Sequence, residues 1–353
     1  MTKVLILKEC CLGDMLMLSS AVAQLQQLHP EIYIDVACEG FARDVPKHWP
    51  FLRKVHAYPR FWGSRRLPLK QWWGLINQLR LETYDVIFVC DVGRGAQALA
   101  ALIGGKQRFG FVHAGRRIAL TAAIKRSPDD GIPELEAYEK LFALWTGTLL
   151  DQHQYFYQLS AEELAWAGQW LLQQNLEAKR FVVLAPGGGK NPGTDMPRKR
   201  WPSARFAEVC AQLSQTHRVI VVGTHDEQAL ISEVIGTSSA IVCVGVTLGR
   251  VGALLQEAAA VLCNDSVLMH LAAAVKTPTL ALFGPTDPYR LLPPFPWVQH
   301  IWEPVECSPC YQQILGTFPP CPRYRCQEGI AVGQVLDKLR GLVQSGNPNA
   351  PSP

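Results

Sequence analysis

Short apolar runs alternate along the chain with longer segments whose apolar residues recur at helical spacing. An apolar run bounded by polar residues or glycine is typical of a buried strand. Such runs predict strands at 3–7, 32–38, 84–90 and 107–112, and again at 180–189, 218–223, 258–264 and 279–283.

Apolar residues three and four positions apart predict helices between these strands. The predicted helices cover 13–29, 203–215 and 226–235, most of 116–160, about two turns after Ser266, and 331–345. Strands that alternate with helices indicate a parallel sheet covered on both faces. The pattern restarts in the second half, so the chain predicts two doubly wound α/β domains.

We therefore expect an N-terminal domain over 1–165 and a C-terminal domain over 175–330. A last helix over 331–345 and a polar, Pro-rich, disordered tail at 346–353 follow. Ligands of open parallel sheets bind outside the carboxyl ends of the strands. Two such domains predict a binding cleft where they face each other.

Composition narrows the class of protein. Of 353 residues, 48% are hydrophobic and 18% charged, which is typical of a globular chain. A net charge of +4 is too weak to indicate nucleic acid as a partner. The start "MTKVLIL" predicts a first strand and not a signal peptide, so we expect a cytoplasmic protein. Its eleven cysteines are then expected to be thiols or metal ligands.

Three loops after predicted strands carry candidate chemistry. In "KECCLGDM", the Asp14 carboxylate can take a proton from a bound hydroxyl, or it can merely cap its helix. In "APGGGKNPGTDMPRKRWP", the glycines at 187–189 let backbone amides approach a ligand, and Lys199 can reach a diphosphate. The alternative for this loop is a long, mobile basic segment.

The third loop is "CNDSVLMHLAAAVKTPTLALFGPTDP", residues 263–288. Asp265 or Ser266 is a good N-cap, and a helix N-terminus attracts phosphate. The same segment contains His270 and Thr286. The alternatives are an ordinary helix cap and a histidine that only packs.

Taken together, "LILKECCLGDMLMLSSAV", "LAPGGG" with "KRWPSARFAEV", and "VGVTLGRVGALLQEAAAVLCNDSVLMHLAAAVKTPTLALFGPTDP" resemble glycosyltransferase family 9, the bacterial ADP-heptose:lipopolysaccharide heptosyltransferases. The resemblance implies a GT-B fold with two Rossmann-like domains, the acceptor on the first and the nucleotide sugar on the second. It also implies an inverting, metal-independent transfer of a heptose or similar sugar from an ADP-sugar to a hydroxyl of the lipopolysaccharide inner core.

The same resemblance implies roles for individual residues. Asp14 is the expected general base. The expected donor- and phosphate-binding residues are Lys8, Gly187, Gly188, Lys199, Glu227, Asp265, Ser266, His270 and Thr286.

The chain departs from the family at several places, among them Leu18-Ser19-Ser20, where the family has Thr-x-Pro, and a long loop before Lys199. Val267 stands where the family has glycine, and Cys10-Cys11 stand where it has two serines. A valine disfavours positive φ and denies the close approach that glycine permits. A protein acceptor of the autotransporter type or a small-molecule acceptor therefore stays open. So does a nucleotide-sugar-binding protein without catalysis.

Two further features point to partners. Cys307, Cys310, Cys321 and Cys326 match zinc or iron ligation in form, and the alternative is four reduced thiols. The stretches 59–74 and 113–126 mix basic residues with Trp62, Trp72 and Trp73. They favour peripheral contact with an anionic membrane, at the inner face of the cytoplasmic membrane, or else a solvated basic face.

Overall fold

The computed structural model describes residues 1–9, 11–58, 69–115, 117–149, 152–191, 194–312, 314–321 and 323–345. The chain divides into two compact units, Met1–Gln158 with Gln312–Gly316 (unit 1) and Leu159–Tyr311 with Thr317–Pro353 (unit 2). Cys10, Trp62 with the rest of the basic stretch at 59–68, and the tail at 346–353 lie outside the described residues.

Unit 1 contains a sheet of six parallel strands: β1 (Lys3–Leu7), β2 (Tyr33–Glu39), β3 (Lys54–Tyr58), β4 (Val86–Val89), β5 (Gln107–His113) and β6 (Ala122–Arg126). Their order across the sheet is β3-β2-β1-β4-β5-β6. The helices are α1 (Leu12–Leu28), α2 (Leu69–Leu81), α3 (Arg94–Ile103) and α4 (Glu134–Thr146). Apolar residues of α2 and α3 form one core with the sheet, while Phe142 of α4 packs on Phe88 of β4. Both faces are thus covered, which explains why β4 is apolar throughout.

Unit 2 also contains a sheet of six parallel strands: β7 (Phe181–Ala185), β10 (Arg218–Gly223), β11 (Ile241–Val244), β12 (Ala260–Asn264), β13 (Thr279–Phe283) and β14 (Val298–Trp302). A separate antiparallel pair is formed by β8 (Lys190–Asn191) and β9 (Thr194–Asp195). The six parallel strands are ordered β11-β10-β7-β12-β13-β14. Helices are α5 (Ala161–Gln173), α6 (Ser203–Leu213), α7 (Gln228–Ile235), α8 (Leu248–Gln256), α9 (Val267–Ala274), α10 (Pro288–Leu291), α11 (Arg325–Glu328) and α12 (Val332–Ser345). Within the described ranges, no helix has the length and apolarity to cross a bilayer.

The predicted pair of doubly wound α/β units is confirmed, and every predicted strand is present with ends shifted by a few residues. The sequence did not predict the short pair β8 and β9. It also did not predict four strands of the six-stranded sheets, β3, β6, β11 and β14. All four lie at the edges of the two sheets. The expectation that 116–160 is mainly helical is wrong: among the described residues of this range only Glu134–Thr146 are α-helical. The range also contains the strand β6, whose sequence "AAIKR" carries charges that an edge strand tolerates.

Candidate active site

Lys8 and Asp14 lie together at the carboxyl edge of the unit 1 sheet. Lys8 follows the last residue of β1, and Asp14 lies in the first turn of α1. The Lys8 Nζ atom is 3.4 Å from Asp14 Oδ2. Lys8 is only 4% exposed, whereas the Asp14 side chain keeps 23% of its surface open to solvent. The carboxylate is therefore accessible while its cationic partner is not.

Asp14 does not act as a helix cap. The residue at the N-cap of α1 is Cys11, and no side chain forms the capping hydrogen bond. Burial raises the pKa of Asp14, the positive charge of Lys8 opposes that rise, and the negative charges of Glu134 and Asp91 add to it. A carboxylate with a raised pKa holds a proton more firmly and is a better general base, as long as it is ionised.

Lys199 and Asp265 form an ion pair at the carboxyl edge of the unit 2 sheet. Asp265 follows β12 directly, and Lys199 lies on the loop between β9 and α6. The Lys199 Nζ atom is 2.9 Å from Asp265 Oδ2, and the two side chains are 13% and 6% exposed. The pair presents a cation beside the N-terminus of α9, which begins at Val267.

Burial and nearby charges together set the protonation states of Asp265 and His270. Burial acts to raise the pKa of Asp265, but the charge and hydrogen bond of Lys199 outweigh it, so the pKa lies below its usual range. Burial lowers the pKa of His270 to about 4, and Asp265 only partly opposes this shift. At neutral pH the site thus holds an ionised Asp265 and a neutral imidazole. Thr286 is buried on the adjacent loop and lies close to Asp265.

The glycine loop after β7 is packed tightly against two other predicted site residues. A Cβ added to Gly187 would lie 2.1 Å from Glu227 Oε1, and one added to Gly188 would lie 2.6 Å from the Cβ of Ser266. Gly188 also has a φ of 110°, which side chains rarely adopt. Its N–H donates to Glu227 Oε1 at 3.3 Å. The Gly188 N–H, which the sequence analysis expected to bind a diphosphate, is thus hydrogen-bonded to Glu227.

Val267 does not require the backbone freedom of the glycine it replaces. It is the first residue of α9, with Ser266 at the N-cap in an extended conformation. It is also not among the described residues with positive φ. The expected conflict with a positive φ therefore does not arise. The side chain of Ser266 makes no capping hydrogen bond.

Asn264 connects the loops of this site, and sequence analysis missed it. It is the last residue of β12 and fully buried. Its Oδ1 accepts from the N–H of Trp201 at 2.9 Å, and its Nδ2 donates to the carbonyls of Pro186 at 2.8 Å and Gly187 at 2.9 Å. The only signal was an amide at the end of an apolar strand.

Replacing Asn264 by alanine is expected to destabilise the protein by about 2–4 kcal/mol, because it leaves one buried N–H and two buried carbonyls without their partner. Urea denaturation followed by circular dichroism measures the loss. Asn264→Asp keeps an acceptor for Trp201 but buries a carboxylate against the carbonyl oxygens of Pro186 and Gly187, so it should be destabilised at least as much as the alanine variant. A loss below about 1 kcal/mol for the alanine variant would contradict the role given to this amide.

The cysteine-rich segment contacts the loop that carries Thr286 and the loop that carries Lys199. The N–H groups of Cys310 and Tyr311 donate to the carbonyl of Pro285, each at 2.9 Å, one residue before Thr286. The Tyr311 ring centroid lies 4.8 Å from Lys199 Nζ, a cation–π distance. Gln327 Nε2 donates to the carbonyl of Lys199 at 3.0 Å. This segment thus holds Lys199 in place.

The four late cysteines line one cavity of about 430 Å³, together with Arg198 and Tyr324. Cys307 is exposed and Cys326 buried, and the thiol of Cys321 donates to the carbonyl of Arg323 at 2.8 Å. No three His, Cys, Asp or Glu side chains of the described residues are grouped so that they could hold a metal ion. The four thiols share a cavity, but as arranged they do not fit a metal ion.

The two sheets and their polar strand ends identify the class of protein. Two Rossmann-like units in one chain, each with polar residues at the carboxyl ends of its strands, are the architecture of GT-B glycosyltransferases. The family model "Glycosyltransferase family 9 (heptosyltransferase)" matches residues 72–315. The chain therefore belongs to glycosyltransferase family 9, as its sequence motifs predicted, and it is a glycosyltransferase.

Individual relatives agree with this assignment. Lipopolysaccharide heptosyltransferase 2 of Escherichia coli K12 is 27% identical over 301 residues, which cover 81% of this chain and 84% of the relative. The solved structure of E. coli ADP-heptose LPS heptosyltransferase II is 22% identical, with a TM-score of 0.77 over 98% of this chain and 99% of that one. The iron-containing dodecameric glycosyltransferase TibC of enterotoxigenic E. coli H10407 shares the fold at 16% identity, with a TM-score of 0.60 over 98% of this chain and 77% of that one.

Proposed function

We propose that this enzyme transfers a heptose, or a closely related sugar, from an ADP-sugar to a hydroxyl of a lipopolysaccharide inner-core acceptor, with inversion at the anomeric carbon. The observation that carries the proposal is the buried Lys199–Asp265 pair beside the N-terminus of α9. Membership of family 9 and the relatives named as lipopolysaccharide heptosyltransferases support the choice of sugar and acceptor.

Lys199 acts on the leaving group. As the bond between the anomeric carbon and the diphosphate breaks, its electron pair goes to the diphosphate oxygen, and negative charge grows there. A preformed cation and the amides at the start of α9 stabilise this charge. Because Lys199 is the protein's own cation, we propose that the transfer proceeds without a divalent metal.

Asp14 acts on the acceptor. Its carboxylate takes the proton of the acceptor hydroxyl while that oxygen forms its bond to the anomeric carbon of the donor. Attack from the face opposite the diphosphate inverts the configuration. The open fraction of the Asp14 side chain, 23%, leaves room for a hydroxyl to approach.

The acceptor is proposed to be lipid-linked and reached from the cytoplasmic side of an anionic membrane. On α2, Trp73 is 62% exposed, and Lys70 and Arg80 are exposed on the same helix. An exposed tryptophan among cations suits the headgroup region of an anionic lipid surface. Trp72, in contrast, packs on Tyr58 with ring centroids 5.0 Å apart.

A transfer assay tests the proposal. Purified protein is given ADP-heptose, UDP-glucose or GDP-mannose, with an inner-core glycolipid in anionic vesicles, and each reaction is run with and without EDTA. The product is followed by mass spectrometry. We expect transfer from ADP-heptose alone, insensitive to EDTA and faster at low salt than at high salt. Transfer only to an autotransporter peptide or a small molecule would overturn the acceptor. Donor binding without turnover on any acceptor would favour a non-catalytic nucleotide-sugar-binding protein.

A further inference from the structure

Asp91 lies beside Lys8 because β1 and β4 are neighbours in the sheet. Leu7, the last residue of β1, pairs with Val89, the last residue of β4. The N–H of Cys90 then donates to the carbonyl of Leu7 at 2.8 Å. The chain therefore leaves both strands at the same edge, and Asp91 emerges next to Lys8.

Asp91 binds Lys8 more closely than Asp14 does. The Lys8 Nζ atom is 2.5 Å from Asp91 Oδ1 and 3.4 Å from Asp14 Oδ2. The second Asp91 oxygen accepts from the N–H of Glu9 at 2.6 Å. This backbone contact fixes the Asp91 carboxylate at the strand end. One buried cation is thus shared between two carboxylates, and the fixed one is the nearer.

We propose that Asp91 is a positioning residue for the transfer. It holds Lys8 and neutralises most of its positive charge, so that Asp14 keeps the basicity needed to take the proton of the acceptor hydroxyl. The proposal rests on the role given to Asp14 above. It concerns a residue that neither the sequence motifs nor the family resemblance singled out.

The groups that face Asp14 come from four parts of unit 1. They are Lys8 after β1, Asp91 after β4, Glu134 and Tyr138 on α4, and Tyr155 on the segment after α4. Glu134 has its own partner, since Arg126 Nη2 donates to it at 2.8 Å. Asp91, in contrast, is bound to the very cation that faces Asp14. Asp91 is therefore the group that sets how much of the Lys8 charge reaches the base.

The sign of the effect follows from this sharing. A general base must be ionised, so kcat/KM rises with pH through the pKa of Asp14 in the free enzyme. Asp91→Asn removes the competing charge, Lys8 acts on Asp14 alone, and the pKa of Asp14 falls. The acid limb of kcat/KM should move down by about one pH unit. The plateau should fall about threefold, because the base is weaker.

Two variants separate this role from a structural one. Asp91→Glu keeps the charge and should leave the limb close to the wild-type position. Asp85→Asn makes the same chemical change at the opposite end of β4, where Asp85 binds Lys106 at 2.6 Å. This variant should leave the acid limb of kcat/KM at the wild-type pH. A limb that stays in place in Asp91→Asn, or moves up, overturns the proposal even if activity drops.

A titration that does not need activity completes the test. Carbon-13 NMR of labelled aspartate, with the Asp14 signal assigned from Asp14→Asn, gives the pKa of this carboxyl in the wild type and in Asp91→Asn. A lower pKa in the variant supports the role of Asp91, and an equal or higher one overturns it. Failure of the proposed function shows instead as absent turnover in the wild type, so the two failures are distinguishable.

Discussion

Asp14→Asn is expected to lower kcat about a thousandfold while the Kd for ADP-heptose stays within a factor of about two. The amide keeps the size of the side chain but cannot accept the acceptor proton. Apart from Lys8, the residues assigned to donor binding lie in unit 2, so donor binding should respond little. Steady-state kinetics gives kcat, and isothermal titration with the donor alone gives Kd.

Asp44→Asn is the matched control for this substitution. Asp44 is also a unit 1 carboxylate beside a lysine, with Lys47 at 2.8 Å, but its side chain is 47% exposed. Exposed pairs of this kind contribute little to stability. The kcat of Asp44→Asn should match that of the wild type. If Asp14→Asn keeps more than about a tenth of wild-type kcat, Asp14 is not the general base.

Lys199→Met is expected to reduce kcat/KM by about a hundred- to a thousandfold, and to lower stability as well. Loss of the cation removes charge stabilisation of the leaving diphosphate. It also leaves the Asp265 carboxylate, only 6% exposed, without its partner. Breaking one side of a buried pair typically costs about 3–5 kcal/mol. Kinetics and thermal unfolding measure the two losses separately.

The double variant Lys199→Met with Asp265→Asn separates catalysis from stability. Removing both charges should restore part of the lost stability, since no buried charge is left unpaired, but should not restore kcat/KM. Lys190→Met is the matched control, because Lys190 pairs with Asp226 on the same side of the fold in an exposed setting. Wild-type kcat/KM in Lys199→Met would show that the leaving group is stabilised by other residues.

Apolar periodicity predicted the interior of each sheet but not its rims. Strands such as β4 and β12 are buried on both faces, so they appear as unbroken apolar runs. The edge strands β3 ("KVHAY") and β14 ("VQHIW") include exposed polar residues. An edge strand pairs on one side only and tolerates exposed polar residues, so an unbroken apolar run does not mark it in the sequence.

Candidate chemistry was visible where a charge follows an apolar run. Asp14 and Asp265 were singled out on loops that follow predicted strands, and Lys199 on a basic loop just before a predicted helix; the structure places each at the carboxyl ends of the strands of its sheet. Asp91 carries the same signal, since it follows the predicted strand at 84–90 directly, and it could have been found. Asn264 could not, because an uncharged amide inside a strand gives no sign of which backbone groups it will bind.

Asn264 also limits how this enzyme can be re-engineered. One side chain joins the backbone at Pro186 and Gly187 to that at Trp201, and it directly precedes Asp265. A graft of any single segment from a relative with another donor preference would disturb the geometry of the others. Changing the sugar nucleotide therefore calls for exchanging these segments as one set, with the residue at 264 carried along.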